Sequence, residues 1–493
     1  MDTCTLGVDI GTTSAKAVAF SASGRTVAIA SRPIALLTPA VDAVEQDPHA
    51  VLTATNDAVA ETVKAAKSAG FSVERLGFSA AMHSLIAIGA DGVPLTNARI
   101  WMDNRANAVA DALWASAAGK ATYKRTGTPI HAMTPLPKLI QLRQSQPDLF
   151  ARAAKFVSLK EWIWYAWFGE WQVDASIASA TGLYNLLQGS WDTEAMALAG
   201  VSLAQLSSIM PTTYTRAGLR TPSLLAAGLT AATPCTIGAS DGVLANLGVG
   251  AIGPEGMVLT IGTSCAVRTG ASRVNTDVDT RAFCYVLDRD KFVIGLPSNS
   301  GGIIIDWLYH HVMRNAGKGN VDVGVDQLIA DAGMLPDSDL ICLPYLTGER
   351  APLWNTAAAA SFVGMRLQHG PADLLRAAIE GILYNAYWMA SGLYSSLGQP
   401  RYLIASGKVL EEEWIRQLAA DLFGLPVIDA SRIDSSALGA AMIADIAAGA
   451  KNWPGALAID QLPPTTVVRP VQHDRAQARY QHFRAISAAL LGA

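Results

Sequence analysis

Two stretches of the chain echo each other, and that echo limits the possible folds more than any other feature. Near the start, LGVDIGTTSAKAVAF runs from Leu6 to Phe20; past the middle, MVLTIGTSCAVRTG runs from Met257 to Gly270. Each is an apolar strand, then Ile-Gly-Thr, then small hydroxyl residues, then a second apolar strand. That order describes a β-hairpin with glycine and hydroxyl groups at its tip. The copies stand about 250 residues apart, a domain-sized separation that favours duplication of a whole domain over a short solenoid repeat. Chance likeness of two Gly-Thr turns is the alternative reading.

Each half continues with mixed helix and strand signals. VEQDPHAVLTATNDAVAETVKAAKSAG reads as a helix entered through Asp47-Pro48. RLGFSAAMHSLIAIGADGVPL reads as strand, loop, strand and an Asp-Gly turn. In the second half, GPADLLRAAIEGILYNAYWMASGLYSSLG has apolar residues at helical spacing, and SALGAAMIADIAAG reads as a later Ala-rich helix. At 493 residues the chain exceeds the roughly 250–300 at which a single core stops growing. The boundary is expected around Gly248–Gly253, giving domains at 1–250 and 251–450 and a peripheral C-terminal segment at 451–493.

Composition narrows the class. Hydrophobic residues make up 51% of the chain, enough for large cores, yet no apolar run approaches the ~20 residues that span a bilayer. A net charge of -4 gives no reason to expect nucleic acid or an anionic membrane as partner. The N-terminus shows no basic n-region or cleavage motif, and the five cysteines are scattered without metal-ligand spacing. A cytoplasmic protein with reduced, mostly buried thiols is expected. A homodimer is compatible with the chain, but nothing in the sequence selects an oligomeric state.

Gly407-Lys408, in YLIASGKVLEEEW, invites a phosphate-loop reading. A Walker motif would need Ser or Thr where Val409 stands, and a glycine where Tyr402 stands. The phosphate grip is therefore expected at the hairpin tips. There, backbone N–H groups and the hydroxyls of Gly11, Thr12, Thr13 and Ser14, and of Gly262, Thr263 and Ser264, can converge on a polyphosphate. Asp9, just before the first tip, is placed to hold Mg²⁺ directly or through its waters, and Lys16 is near enough to support the loop. A turn-stabilising role is the alternative for Asp9.

The motifs DIGTTSAK, GASDG, TIGTS and GERAPLWN, in this order, resemble the FGGY family of carbohydrate kinases over about residues 5–450. The resemblance implies an α/β protein of two ribonuclease-H-like (actin-like ATPase) domains. ATP and Mg²⁺ would lie in the interdomain cleft and a small sugar or sugar acid deeper, against the N-terminal domain. It implies that Asp241 is the catalytic base, taking the proton of the attacking hydroxyl. Capping of a helix is the plainer role for Asp241, and the two are compatible. Met82 and His83 fall where family members contact substrate. Trp101, Asp103 and Arg105 of WMDNR add an aromatic face, an acceptor and a fork of donors, a set suited to a polyol.

YKRTGTPIHAMTPLPK, with AMHS at 81–84, resembles the gluconate-kinase branch; xylulose kinases are close relatives that share the catalytic parts. Gluconate carries a carboxylate, for which Arg105 is a physically sensible bidentate partner. Gln141 stands where the family signature usually has tryptophan. Gly301 and Gly302 are expected near the nucleotide. Ser406, Gly407 and Lys408 fall where the family has Thr-Gly-Gly or its variable neighbour, so this stretch reads as an altered adenine wall. Ser406 replaces a glycine and would strain the backbone if that position needed φ > 0. Lys408 is expected to face solvent and pair with Glu411 or Glu412.

Overall fold

The computed structural model describes residues 2–313, 324–336, 338–455, 457 and 466–492. Two compact units emerge. The first comprises Met1–Ile252, Ala271–Ile294 and Asp434–Gly455; the second comprises Gly253–Gly270, Gly295–Ile433 and Ala456–Ala493.

In the first unit, strands β1 (Asp2–Ile10), β2 (Ser14–Ser21) and β3 (Thr26–Pro33) form an antiparallel meander. The short β4 (Glu45–Gln46) follows, then β5 (Phe71–Ala80), which pairs parallel to β1. A second short strand, β6 (Ala98–Arg99), pairs antiparallel with β4. Strands β7 (Thr215–Arg216) and β8 (Cys235–Ser240) complete a six-stranded sheet of order β7-β8-β5-β1-β2-β3. Period-2 alternation decides which element covers each face. Ala15, Ala17 and Ala19 of β2 join the core that includes Val51, Val59 and Val63 of helix Pro48–Ser68. Val18 and Phe20 pack instead against Ala437 and Ala441 of helix Ser435–Ala447. The first of these helices starts as its sequence suggested, with Asp47 accepting from the His49 N–H and Pro48 in the first turn.

The second unit repeats this plan. Among its strands are β9 (Gly256–Ile261), β10 (Cys265–Ala271), β11 (Tyr402–Ser406), β12 (Val427–Asp429) and β13 (Val467–Val468), which run in the order β10-β9-β11-β12-β13 within a seven-stranded sheet. In both units an antiparallel hairpin adds two further strands in parallel, then an antiparallel edge strand. The echo between the hairpins therefore extends to the topology of both sheets.

The packing units depart from the contiguous 251–450 division. The Ala-rich helix Ser435–Ala447 belongs to the first unit, because small residues let it approach the sheet backbone closely. Gly7 and Gly77 are register partners on β1 and β5. A Cβ on either would stand 1.9 Å from a helix carbonyl oxygen, that of Ala437 or Ala440 respectively. Gly77→Ala is expected to cost about 1–3 kcal/mol by overpacking, read as a lowered Tm. An unchanged Tm would mean that the helix does not seat there. The segment from 451 is not purely peripheral either. Tyr480 and Phe483 of helix His473–Leu491 are buried, and Arg479 bonds Glu380 and the Ser338 carbonyl. Residues 456 and 458–465 of this segment lie outside the described residues.

All five cysteines are buried free thiols. Among the described residues, no helix is long and apolar enough to cross a membrane.

Candidate functional site

In the first unit, the candidate acidic residues meet at strand ends. Asp9 stands at the end of β1 and accepts from the Ser79 hydroxyl of β5 at 2.7 Å. Desolvation, then the neighbouring Asp241, push its carboxyl up to about 7; Ser79 opposes, Asp434 adds to the rise and Lys16 opposes it. Lys16, opposite Asp9 across the hairpin, directs its ammonium to Asp434 at 2.8 Å. The structure thus gives Lys16 a carboxylate partner rather than aiming it at the tip. Asp241 opens helix Asp241–Gly248, and its Oδ1 accepts from the Gly242 N–H at 2.6 Å. Ser240, not Asp241, occupies the N-cap position.

At the first tip, Gly11 donates its N–H to the Ser14 carbonyl at 2.9 Å. That amide closes the turn and is not directed at a ligand. Thr12 and Ser14 are half-buried and Thr13 is exposed.

The acceptor-side residues lie on loops flanking β5 and β6. His83 has φ of +73°, a region that costs a non-glycine residue strain, of order 1–3 kcal/mol where the surroundings enforce it. Its Nδ1 lies 2.8 Å from the Ala180 carbonyl, which fixes the proton on that nitrogen, and its Nε2 lies 3.4 Å from the Tyr285 hydroxyl. Met82 packs against the core containing Ala180, Ala239 and Val243. Asp103 is fully buried and accepts from Arg105 Nε and Nη2. Arg105 Nη2 also donates to Glu45. The donor edge expected to clasp a substrate carboxylate is therefore already engaged by two carboxylates of the protein.

Two buried lysines also hold the site. Lys138, fully buried, donates to the carbonyls of His83 at 2.8 Å and Ile100 at 2.6 Å, holding both acceptor loops. Burial lowers its pKa to about 7, with Asp103 opposing and Arg99 and Arg105 reinforcing the fall. Lys160 pairs with buried Asp174 at 2.7 Å and donates to the Ala239 carbonyl at 2.9 Å, two residues before Asp241. A lysine inside a largely apolar helical run, as in LPKLI or LKEWIW, is the local sequence signal for both.

A small cavity of about 20 Å³, room for roughly one water, is lined by His83, Ser84 and Glu161 among others. Desolvation raises the Glu161 carboxyl from 4.5 to about 7. The folded state therefore binds the proton more tightly than the unfolded chain does. Its stabilising effect is complete below pH 4.5 and is lost as pH rises through 7. Glu161→Gln keeps the capping box with Ser158 and is expected to flatten that decline in a series of denaturant melts. A slope identical to wild type would contradict it.

In the second unit, three candidate segments converge. Gly262 donates to the Ser264 carbonyl at 2.9 Å, closing a turn one residue shorter than that of the first tip. Gly302 donates to the Gly262 carbonyl at 2.7 Å, and Ile303 to that of Thr263 at 3.1 Å. A Cβ on Gly301 would meet the Ser264 backbone at 2.5 Å, and one on Gly407 would meet the Ile261 carbonyl at 2.4 Å. The tip, the start of helix Gly302–Trp307 and the turn after β11 thus form one backbone-lined patch. Ser406 is buried in β11 opposite Thr260, and the positive φ, +99°, falls on Gly407. The strain expected at Ser406 is absent for that reason. Lys408 is 72% exposed and pairs with Asp326 at 3.2 Å, not with Glu411 or Glu412. A cavity of about 270 Å³ in this unit, lined by Arg376, Trp414 and Arg479, includes none of the nucleotide candidates.

The family model for the N-terminal domain of FGGY carbohydrate kinases matches residues 4–248, and that for the C-terminal domain matches 257–448. The chain belongs to the FGGY family of carbohydrate kinases. It is 38% identical to gluconokinase of Bacillus subtilis over 452 residues, covering 90% of this chain and 87% of that protein. Two structures from Lactobacillus acidophilus, each 30% identical and covering 99% of this chain and 98% of theirs, superpose well. They are a ligand-bound xylulose kinase (TM-score 0.90) and a gluconate kinase (TM-score 0.89). The protein is thus an α/β carbohydrate kinase with the two-domain actin-like ATPase fold, a phosphotransferase acting on a sugar hydroxyl, and the family implies ATP as donor. The FGGY models divide the sequence near Gly248, whereas the packing units assign Ser435–Ala447 to the first unit. In this FGGY kinase Gln141 accepts from buried Arg99 at 2.6 Å.

Proposed function

We propose that this kinase phosphorylates D-gluconate, giving 6-phosphogluconate, in the cytoplasm. The observation that carries the substrate is the 38% identity to a gluconokinase over 90% of the chain. The ligand-bound xylulose kinase, 30% identical, makes D-xylulose the second reading.

In the proposed mechanism, the acceptor lies against Met82, His83 and Trp101, with Asp103 and Arg105 behind. Lys138 fixes the two loops through their carbonyls. Asp241 takes the proton from the attacking hydroxyl as it receives the γ-phosphoryl group. In the first unit the hydroxyls of Thr12, Thr13 and Ser14 suit phosphate oxygens; in the second, so does the patch of Gly262, Thr263, Ser264, Gly301, Gly302 and Gly407. Asp9, with Asp241 as a neighbouring carboxylate, would suit a Mg²⁺ ion, which takes one or two carboxylates plus phosphate oxygens and water. That ion would neutralise charge on the phosphates.

Arg105 enters as an organiser of the loop rather than as a free clasp. Arg105→Lys is therefore expected to raise the gluconate KM through loss of the Asp103–Glu45 tie, with a lowered Tm as well. A raised KM at unchanged Tm would instead support direct contact with the substrate carboxylate. Steady-state kinetics with a thermal melt distinguish the two.

A further inference from the structure

Trp101 donates its indole N–H to the Thr12 side-chain oxygen at 2.9 Å. The indole nitrogen only donates, so Thr12 is the acceptor in this pair. A hydroxyl has one proton and two lone pairs. With one lone pair committed to the indole, the proton is turned away from Trp101 and can be given to an oxyanion. The main chain of the same residue is also held: Gln46, 1% exposed, donates its Nε2 to the Thr12 carbonyl at 2.7 Å.

Both handles come from one small ribbon. Gln46 lies in β4, which pairs with β6, and Trp101 follows β6 by two residues. The ribbon and the residue before it also hold the acceptor loop. Glu45 accepts from Arg105, and the Val44 N–H donates to Asp103 at 3.2 Å. One structural piece thus grips the phosphate tip at one end and the acceptor loop at the other.

We propose that Trp101 is a positioning residue that couples acceptor binding to phosphate binding by orienting the Thr12 hydroxyl. This rests on the kinase mechanism above, in which Thr12 contacts the triphosphate and Trp101 packs against the acceptor. An acceptor lying on the indole face restrains the ring. The ring fixes the hydroxyl, and the hydroxyl donates to a phosphate oxygen. The coupling is reciprocal, so nucleotide must tighten acceptor binding by the same factor.

Trp101→Phe keeps an aromatic face and removes the donor. Its kcat should fall about tenfold, the equivalent of ~1.4 kcal/mol or one net hydrogen bond, while gluconate affinity in the absence of nucleotide stays within about twofold. Calorimetry with ADP, with and without gluconate, should show mutual tightening in the wild type and its loss in Trp101→Phe. Thr12→Val should reproduce the defect. The double variant should be no worse than Thr12→Val alone, because both changes remove the same bond. Wild-type kcat and coupling in Trp101→Phe, or additive losses with a lowered Tm, would overturn the proposal. Asp241→Asn separates the two levels. If it turns over normally, the mechanism has failed; if it is inactive while Trp101→Phe behaves as wild type, only the coupling has failed.

Discussion

Asp241→Asn is expected to lower kcat by about 10²–10⁴-fold, the usual contribution of a general base, with acceptor affinity retained. Asparagine has nearly the same shape and still accepts from the Gly242 N–H, so the opening turn of helix Asp241–Gly248 should persist. It cannot take a proton. The helix does not depend on Asp241 for capping, since Ser240 occupies that position. The helix N-terminus also favours a carboxylate there, and this term is lost with the charge. Coupled ADP release gives the rate, and calorimetry with gluconate gives the binding. Activity within about tenfold of wild type would remove Asp241 from the role of base.

Lys160→Met should be the most damaging single change to stability, costing about 3–5 kcal/mol. The methionine fills similar space, but Asp174 would be left as a buried carboxylate without its cation, and the Ala239 carbonyl would lose a donor. The double variant Lys160→Met/Asp174→Leu should recover much of the loss, because breaking a buried pair costs more than replacing it. Denaturant midpoints at constant m-value provide the check. The single variant should also lose kcat, since Ala239, near the end of β8, is two residues before Asp241 at the start of the following helix. A single variant as stable as wild type would show that the pair does not hold the strand end.

Much of the fold was legible in local sequence. The Gly-Thr tips between apolar runs marked both hairpins, and Asp47-Pro48 marked a helix start. The hairpin tips pointed to Asp9 and Gly262, and motif order led to the family and through it to the expectation for Asp241. What could not be read depended on partners far apart in the chain. The Ala-rich helix joins the first unit through Gly7 and Gly77, and neither glycine carries a local sign of that contact. Lys16 reaches Asp434, Arg105 reaches Glu45, and Trp101 reaches Thr12, across separations of 418, 60 and 89 residues. Chemistry chosen by residue type described Arg105 as a free fork; packing had already given it partners. Ser406 and Gly407 show the same limit at short range. Counting along the motif located the turn, but the backbone angles decided which of the two bears the positive φ.

Gluconate is the acceptor proposed for this kinase. ADP release should be followed with purified protein, ATP and Mg²⁺, offering gluconate, xylulose, ribulose or glycerol in turn. Gluconate should give the highest kcat/KM, with ADP release dependent on the added acceptor. A higher kcat/KM for xylulose, or ADP release that needs no sugar, would contradict it.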